Sequence, residues 1–333
     1  MRALLVRAPH DVELDTVSEP DVGDDEVLVA PLLAGVCGTD LELIDGTIDP
    51  AYVRYPLVLG HEWVGELLDE VPGVAQRGER VVVEGVIPCG VCSQCLIGAT
   101  NLCLIYDEIG FTRPGAIAER IAVPTRLVHR IDEAVNLDDA ALIEPMAVVW
   151  RALTRLPLRD VRNVVVVGDG TIALLVAHLV RQLNPALVVM AGRRGAQESL
   201  ALAAGADQFV TDVPGDRFDL VIEAAGTRAS ASTAISLADR GAMVILLGLP
   251  PHGTTIELVP DNLVNDDVVI QGSFSYSSRA FGEVVGQVNA GALRPSFLVT
   301  HRYALDQFGA AINALRGGVA DNEPRGKVVI ATA

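Results

Sequence analysis

Two rhythms of apolar and polar positions divide the chain. Up to about residue 145 the apolar residues come in short runs, ALLV, VLVAPL, RVVVEGV and ERIAV, separated by Gly, Pro and Asp turns. Short runs bounded by turn residues predict strands, so this part reads as mainly β. From about residue 160 the pattern changes. NVVVVG leads into the helical stretch TIALLVAHLVRQL, followed by LVVMAG, ESLALAAGA, FDLVIEAAG, ASTAISLADR and AMVILLG. Apolar strands alternating with helices predict βαβ units, and therefore an α/β fold with a parallel, doubly wound sheet.

Composition narrows the picture in three respects. A chain of 333 residues, half of them apolar, is long enough for two domains with sizeable cores. Its longest apolar stretch, Val164 to Val180, is interrupted by Gly168, Asp169, Gly170 and His178, so no membrane span or anchor is expected. A formal net charge of −18 would repel phosphate backbones, which argues against a nucleic-acid partner. Lys327 is the only lysine, and that skew toward arginine reads as coding bias rather than function. No internal repeat or low-complexity tract stands out.

The five cysteines carry the strongest chemistry. Cys89, Cys92, Cys95 and Cys103 fall in PCGVCSQCLIGATNLC, a spacing that brings four thiolates to one small loop and suits the closed tetrahedron of a structural zinc ion. A disulfide framework is disfavoured: the chain opens with MRALLVRAPH rather than a secretory signal pattern, and a reducing, cytoplasmic setting is expected. Ferredoxin-type iron–sulfur spacings differ from this one. Cys37, in AGVCGTD, is then left for other work. With His61, Glu62 and Glu144 it forms the candidate set for a second, catalytic metal, which takes about three protein ligands and keeps one position open. Cys37 supplies sulfur, His61 nitrogen, and either Glu144 or Glu62 the oxygen, with Glu144 preferred as the direct ligand and Glu62 expected to orient the site or to exchange with water.

Strand Asn163–Val167 runs into Gly168-Asp169-Gly170-Thr171-Ile172-Ala173, a G-x-G-x-x-A turn that opens a helix. Glycines at 168 and 170 allow a tight turn and close approach of a pyrophosphate to helical N–H groups at Thr171 and Ile172. An NAD site carries an acidic residue at the end of the next strand, where this chain has Gly192-Arg193-Arg194. With no carboxylate there and two guanidiniums able to fork onto a 2′-phosphate, the expected cofactor is NADP(H).

Taken together, C-G-T-D at 37–40, G-H-E at 60–62, the four-cysteine loop, E-P-M at 144–146 and the nucleotide turn resemble the zinc-dependent medium-chain dehydrogenases, in the branch of the sorbitol, threonine and glucose dehydrogenases. The resemblance spans essentially the whole chain. It implies a GroES-like, mainly β catalytic domain at 1–147 and 288–333, with a Rossmann domain inserted at 148–287, an active site in the cleft between them, and a homodimer or homotetramer. It also implies two zinc ions, a small-molecule hydroxyl or carbonyl substrate, and Thr39 as the hydroxyl that receives the substrate's proton. Glu42 stands where many relatives place a relay histidine. Glu108, in DEIGF, resembles a sugar-binding carboxylate of the glucose dehydrogenases, so a sugar, polyol or cyclitol is the leading substrate class. Simple alcohols or a threonine-like hydroxy amino acid are the alternative, and a non-catalytic NADPH-binding protein of the same fold is a second. Trp63, His129 and His301 read as structural.

Overall fold

The computed structural model describes residues 1–156, 161–318 and 323–332. Contacts divide them into two compact units: Met1–Ala147, Tyr276–Val319 and Lys327–Ala333 form the first, Val148–Ser275 and Ala320–Gly326 the second.

The first unit is built on a seven-stranded sheet whose long central strand, Glu26–Val36, alternates half-buried and buried positions along most of its length before becoming buried throughout. It pairs antiparallel with Glu62–Leu67, Ile121–Pro124 and the C-terminal strand Lys327–Ala331. That last strand in turn pairs parallel with Val299–Ala304. A second sheet orders Asp11–Thr16, Arg2–Ala8 and Leu57–Val58. Between the sheets lies a core that includes Leu4, Val6, Val29, Leu59, Trp63, Leu67 and Ile117, and Trp63 is packed, 2% exposed. His129 serves structure too, with Nε2 3.0 Å from Glu84.

The second unit is a six-stranded sheet in the order Gln208–Val210, Leu187–Ala191, Asn163–Val167, Phe218–Glu223, Ala238–Leu246, Val269–Gly272, every pair parallel. Helices on a parallel sheet exclude water from both faces, which is why Val164–Val167 is an unbroken apolar run. The order reverses at Asn163–Val167, the first strand of the unit, and ligands of such sheets bind at the carboxyl end of the strand where this happens. Among the described residues no helix is long and apolar enough to cross a membrane.

The expected domain boundary at 288 needs correction: the chain rejoins the first unit at Tyr276. The buried Tyr276 hydroxyl accepts from Gly85 N at 2.8 Å. Helix Ser278–Asn289 buries Phe281, Val284, Val285 and Val288, and its Asn289 side chain bonds Asp132 N and Arg130 O. The return is also interrupted, because residues 323–326 group with the second unit before Lys327 resumes the first.

Candidate active site

Cys37 ends the central strand and begins helix Gly38–Asp45. Its backbone N–H donates to Asp40 Oδ2 at 2.8 Å, so Asp40, wholly buried, ties off the helix start and fixes the thiol's direction. The other Asp40 oxygen lies 3.5 Å from His61 Nδ1. His61 follows Gly60 and is walled by Phe111, ring centroids 5.2 Å apart. Cys37 Sγ stands 3.6 Å from Thr39 Oγ1. At Gly38 a Cβ would meet nothing within 4 Å.

Glu62 begins the neighbouring strand, level with Gly35 across the sheet. It is buried and ion-paired with buried Lys327. Gly35 makes room for the pair: a Cβ there would lie 2.5 Å from both Glu62 Oε2 and Lys327 Cε. The chain's single lysine therefore has a structural task that composition did not reveal.

One ligand atom each from Cys37, His61 and Glu62 lie within 4.8 Å of one another, a mixed sulfur, nitrogen and oxygen set of the kind a catalytic zinc takes. Asp40 Oδ1 and His61 Nδ1 are buried without a hydrogen-bond partner among the described residues, as befits a pair held apart to orient the ring. The residues present fit the metal. Glu144, preferred on sequence grounds as the direct ligand, falls outside this group. It starts helix Ile143–Thr154 and hydrogen-bonds to Tyr276. That preference fails because the strand register sets Glu62 level with Gly35, two residues before Cys37, a pairing between distant segments.

Charges in this site are poised. Burial pushes the Cys37 thiol up, but its hydrogen bond to His61 and the charges of His61 and Lys327 outweigh this and bring it down to about 7. His61 is raised well above its ordinary value: burial opposes charge, while Asp40 and Cys37 favour the cation. Desolvation lifts Glu108 to about 7 against the charge of His61. It lifts Glu144 to about 8, with His61 and Tyr276 opposing and Cys37 and Glu108 adding to the rise. Glu108 is thus close enough to His61 and Glu144 to feel both. Glu42, on the same helix as Thr39, is raised by burial.

In the four-cysteine loop, sulfur separations are 3.9 Å for Cys89–Cys95, 3.5 Å for Cys92–Cys95 and 3.9 Å for Cys92–Cys103. A tetrahedron with metal–sulfur bonds of about 2.3 Å has edges of roughly 3.8 Å. Backbone N–H groups of Cys89 and Cys92 also donate to the sulfurs of Cys103 and Cys89.

In the nucleotide unit Gly168 has φ +138°, and a Cβ there would press within 3.1 Å of the Ala224–Ala225 backbone. Gly170 caps helix Thr171–Val180 and has open space where a side chain would be, so the turn can receive a pyrophosphate. Ile172 lies in that first turn, and Thr171 Oγ1 donates to Gly326 O at 3.2 Å. The expectation that no carboxylate stands near the arginines is corrected. Asp169 Oδ2 accepts from Arg193 N at 2.9 Å and Arg194 N at 3.0 Å, and Asp169 Oδ1 accepts from Arg194 Nη2 at 3.1 Å. The side chain between the two turn glycines folds back toward Gly192, reaching residues some 25 positions later, which local reading of the motif misses. Arg193 remains exposed.

Residues 23–133 match the alcohol dehydrogenase GroES-like domain. The chain is 31% identical to the L-threonine 3-dehydrogenase of Streptomyces coelicolor over 318 residues, 90% of this chain and 91% of that one. It is 28% identical to the sorbitol dehydrogenase of Bacillus subtilis over 324 residues, 92% and 91% of the two chains. The solved structure of a zinc-binding dehydrogenase from Sinorhizobium meliloti bound to NADP superposes with a TM-score of 0.90 at 27% identity, covering 99% of this chain and 98% of that one.

Proposed function

We propose that this chain, which belongs to the zinc-dependent medium-chain dehydrogenases and is an oxidoreductase, transfers a hydride between NADP(H) and a secondary hydroxyl or ketone of a sugar, polyol or cyclitol. The observation that carries this reading is the Cys37, His61 and Glu62 donor set beside the Thr39 hydroxyl. A zinc ion held by these three would supply Lewis acidity to an alcohol oxygen, and a nicotinamide cofactor bound at the glycine turn would supply the hydride acceptor.

The chain's own residues do the rest. Asp40 and Phe111 hold the His61 ring, one by charge and one by packing. Lys327 pairs with Glu62 where both are buried. Thr39 Oγ1, 3.6 Å from Cys37 Sγ, would accept the substrate hydroxyl's proton as the alcohol is oxidised while passing its own proton on to solvent, with the two transfers reversed in reduction. Glu108, held up at about 7, can donate to or accept from a neighbouring hydroxyl near neutral pH, which suits a polyhydroxylated substrate better than a simple alcohol. Cys89, Cys92, Cys95 and Cys103 would hold a structural zinc, and cysteines kept as zinc thiolates rather than disulfides suit a reducing cytoplasm.

For the cofactor, Arg193 and Arg194 favour a 2′-phosphate. A charge-assisted hydrogen bond contributes about 1.5–3 kcal/mol, and about 1.4 kcal/mol is tenfold in affinity. A screen of polyols, aldoses, cyclitols, simple alcohols and L-threonine, reading reduced-nicotinamide absorbance with each cofactor, tests the proposal. Expected are turnover of a polyhydroxylated substrate and a kcat/KM at least about tenfold higher with NADP than with NAD. Exclusive turnover of L-threonine or ethanol would overturn the substrate class, and equal or better use of NAD would overturn the cofactor.

A further inference from the structure

The Asp169 carboxylate changes the electrostatics of the cofactor turn. It engages Arg194 through Nη2 at 3.1 Å, and the Asp169 carbonyl accepts from the same Nη2 at 2.9 Å. One guanidinium is therefore largely neutralised by a carboxylate that sits in the turn itself. A dianionic 2′-phosphate would then depend more on the exposed Arg193 at this strand end.

The segment before Lys327 brings a further cation. Gln197 is completely buried, and all of its amide chemistry is directed at two places. Its Nε2 donates to Asp169 O at 2.6 Å and to Arg325 O at 2.9 Å, while its Oε1 accepts from Arg325 N at 2.6 Å. A buried amide with its donors and acceptor paired is a rigid clamp, since breaking any bond leaves a desolvated polar group. Thr171, the first residue of the helix, bonds the next carbonyl, Gly326 O, at 3.2 Å. Arg325 is thereby fixed through its main chain to both the glycine turn and the helix start. Its guanidinium is half-buried and close enough to feel the charges of Arg194 and Asp169: burial and then Arg194 pull its pKa down, while Asp169 opposes. Arg194 and Arg325 thus share the field of one carboxylate, and the exposed Arg193 lies on the same strand end, a cationic surrounding of the kind a phosphate dianion favours.

We propose that Arg325 is a third cation of the subsite for the cofactor's ribose 2′-phosphate, and that Gln197 is the positioning residue that holds it there. This rests on the NADP reading above, and the test separates the two. Calorimetric titration of the full-length protein with adenosine 2′,5′-bisphosphate and with 5′-AMP reads the phosphate subsite without any turnover, and NADPH and NADH extend it to the whole cofactor. In Arg325→Ala, affinity for the bisphosphate and NADPH is expected to fall about tenfold, with 5′-AMP and NADH affinities changed less than about twofold. Arg325→Lys should recover part of the loss, because charge returns without the planar fork. Gln197→Ala should reproduce the selective loss with Arg325 present. An equal loss for both ligand pairs in Arg325→Ala would assign it a merely structural role, and no loss would place it outside the subsite; either overturns the proposal. Wild-type protein that binds the bisphosphate no tighter than 5′-AMP would overturn the NADP reading and this inference together, whereas wild-type discrimination that survives in Arg325→Ala overturns this inference alone.

Discussion

At the residue scale, one carboxylate serves two partners. Glu62 completes the donor set with Cys37 and His61 and also pairs with Lys327. Glu62→Gln should therefore lower catalytic zinc content strongly, while Glu144→Gln should retain it; metal analysis of the two variants, counted per chain against the four-cysteine site, checks the order. Zinc lost from Glu144→Gln and kept in Glu62→Gln would reverse the assignment. Glu108 yields a pH prediction. Desolvation raises its folded-state pKa from 4.5 to about 7, so folding favours the neutral form, and the cost of ionising it appears as pH climbs through that interval. In metal-depleted protein, Glu108→Gln should gain on wild type by about 2–3 kcal/mol between pH 5 and pH 8, read from urea denaturation at each pH. A stability difference that does not vary with pH would contradict the desolvation account. The structure also rules out one otherwise natural switch toward NAD: in Gly192→Asp the new Cβ would lie 2.6 Å from Asp169 Cβ and 2.8 Å from the Phe209 ring, so the substitution would distort the turn it is meant to tune.

At the element scale, the four-cysteine loop has little packing of its own. Val91, Leu96, Ile97, Leu104 and Ile105 are each between 68% and 76% exposed. Apolar burial supplies little of the loop's stability, so on the structural-zinc reading proposed above its shape would depend on the thiolates and their ion. Cys95→Ser should lower Tm by several degrees and open the segment around 89–105 to proteolysis, while the nucleotide unit keeps its protection; hydrogen exchange and limited digestion check this. Unchanged protection of the loop would mean that its backbone alone holds it. The loop's chemistry was legible in the sequence because all four cysteines lie within fifteen consecutive residues. The nucleotide turn was legible for a related reason: Gly168 and Gly170 answer to local backbone demands. By contrast, the match of Gly35 to Glu62 and Lys327 depends on strands far apart in the chain, and nothing about a glycine in an apolar run announces it.

At the scale of the whole molecule, each unit has a buried core of its own, one between the sheets of the first unit and one along the parallel sheet of the second. Cys37→Ser removes a candidate metal ligand that belongs to the first unit. It should abolish turnover and drop bound zinc from about two to about one per chain, with NADPH affinity unchanged within about twofold by fluorescence titration. Near-normal kcat in Cys37→Ser would refute the catalytic-metal assignment, and wild-type protein with a single zinc per chain would favour a binding protein over an enzyme. What the sequence determined by itself was the α/β class, the clustering of the four loop cysteines and the glycine turn between strand and helix, because apolar periodicity, cysteine spacing and glycine placement act over a few residues to a few turns. Only the tertiary structure decided which glutamate joins Cys37 and His61, where the chain returns to the first unit, and what Asp169, Gln197, Tyr276, Arg325 and Lys327 do. Those roles rest on contacts such as Gly85 with Tyr276 and Gln197 with Arg325, 191 and 128 residues apart. Such pairings follow from how strands align and segments return, and no local pattern along the chain encodes them.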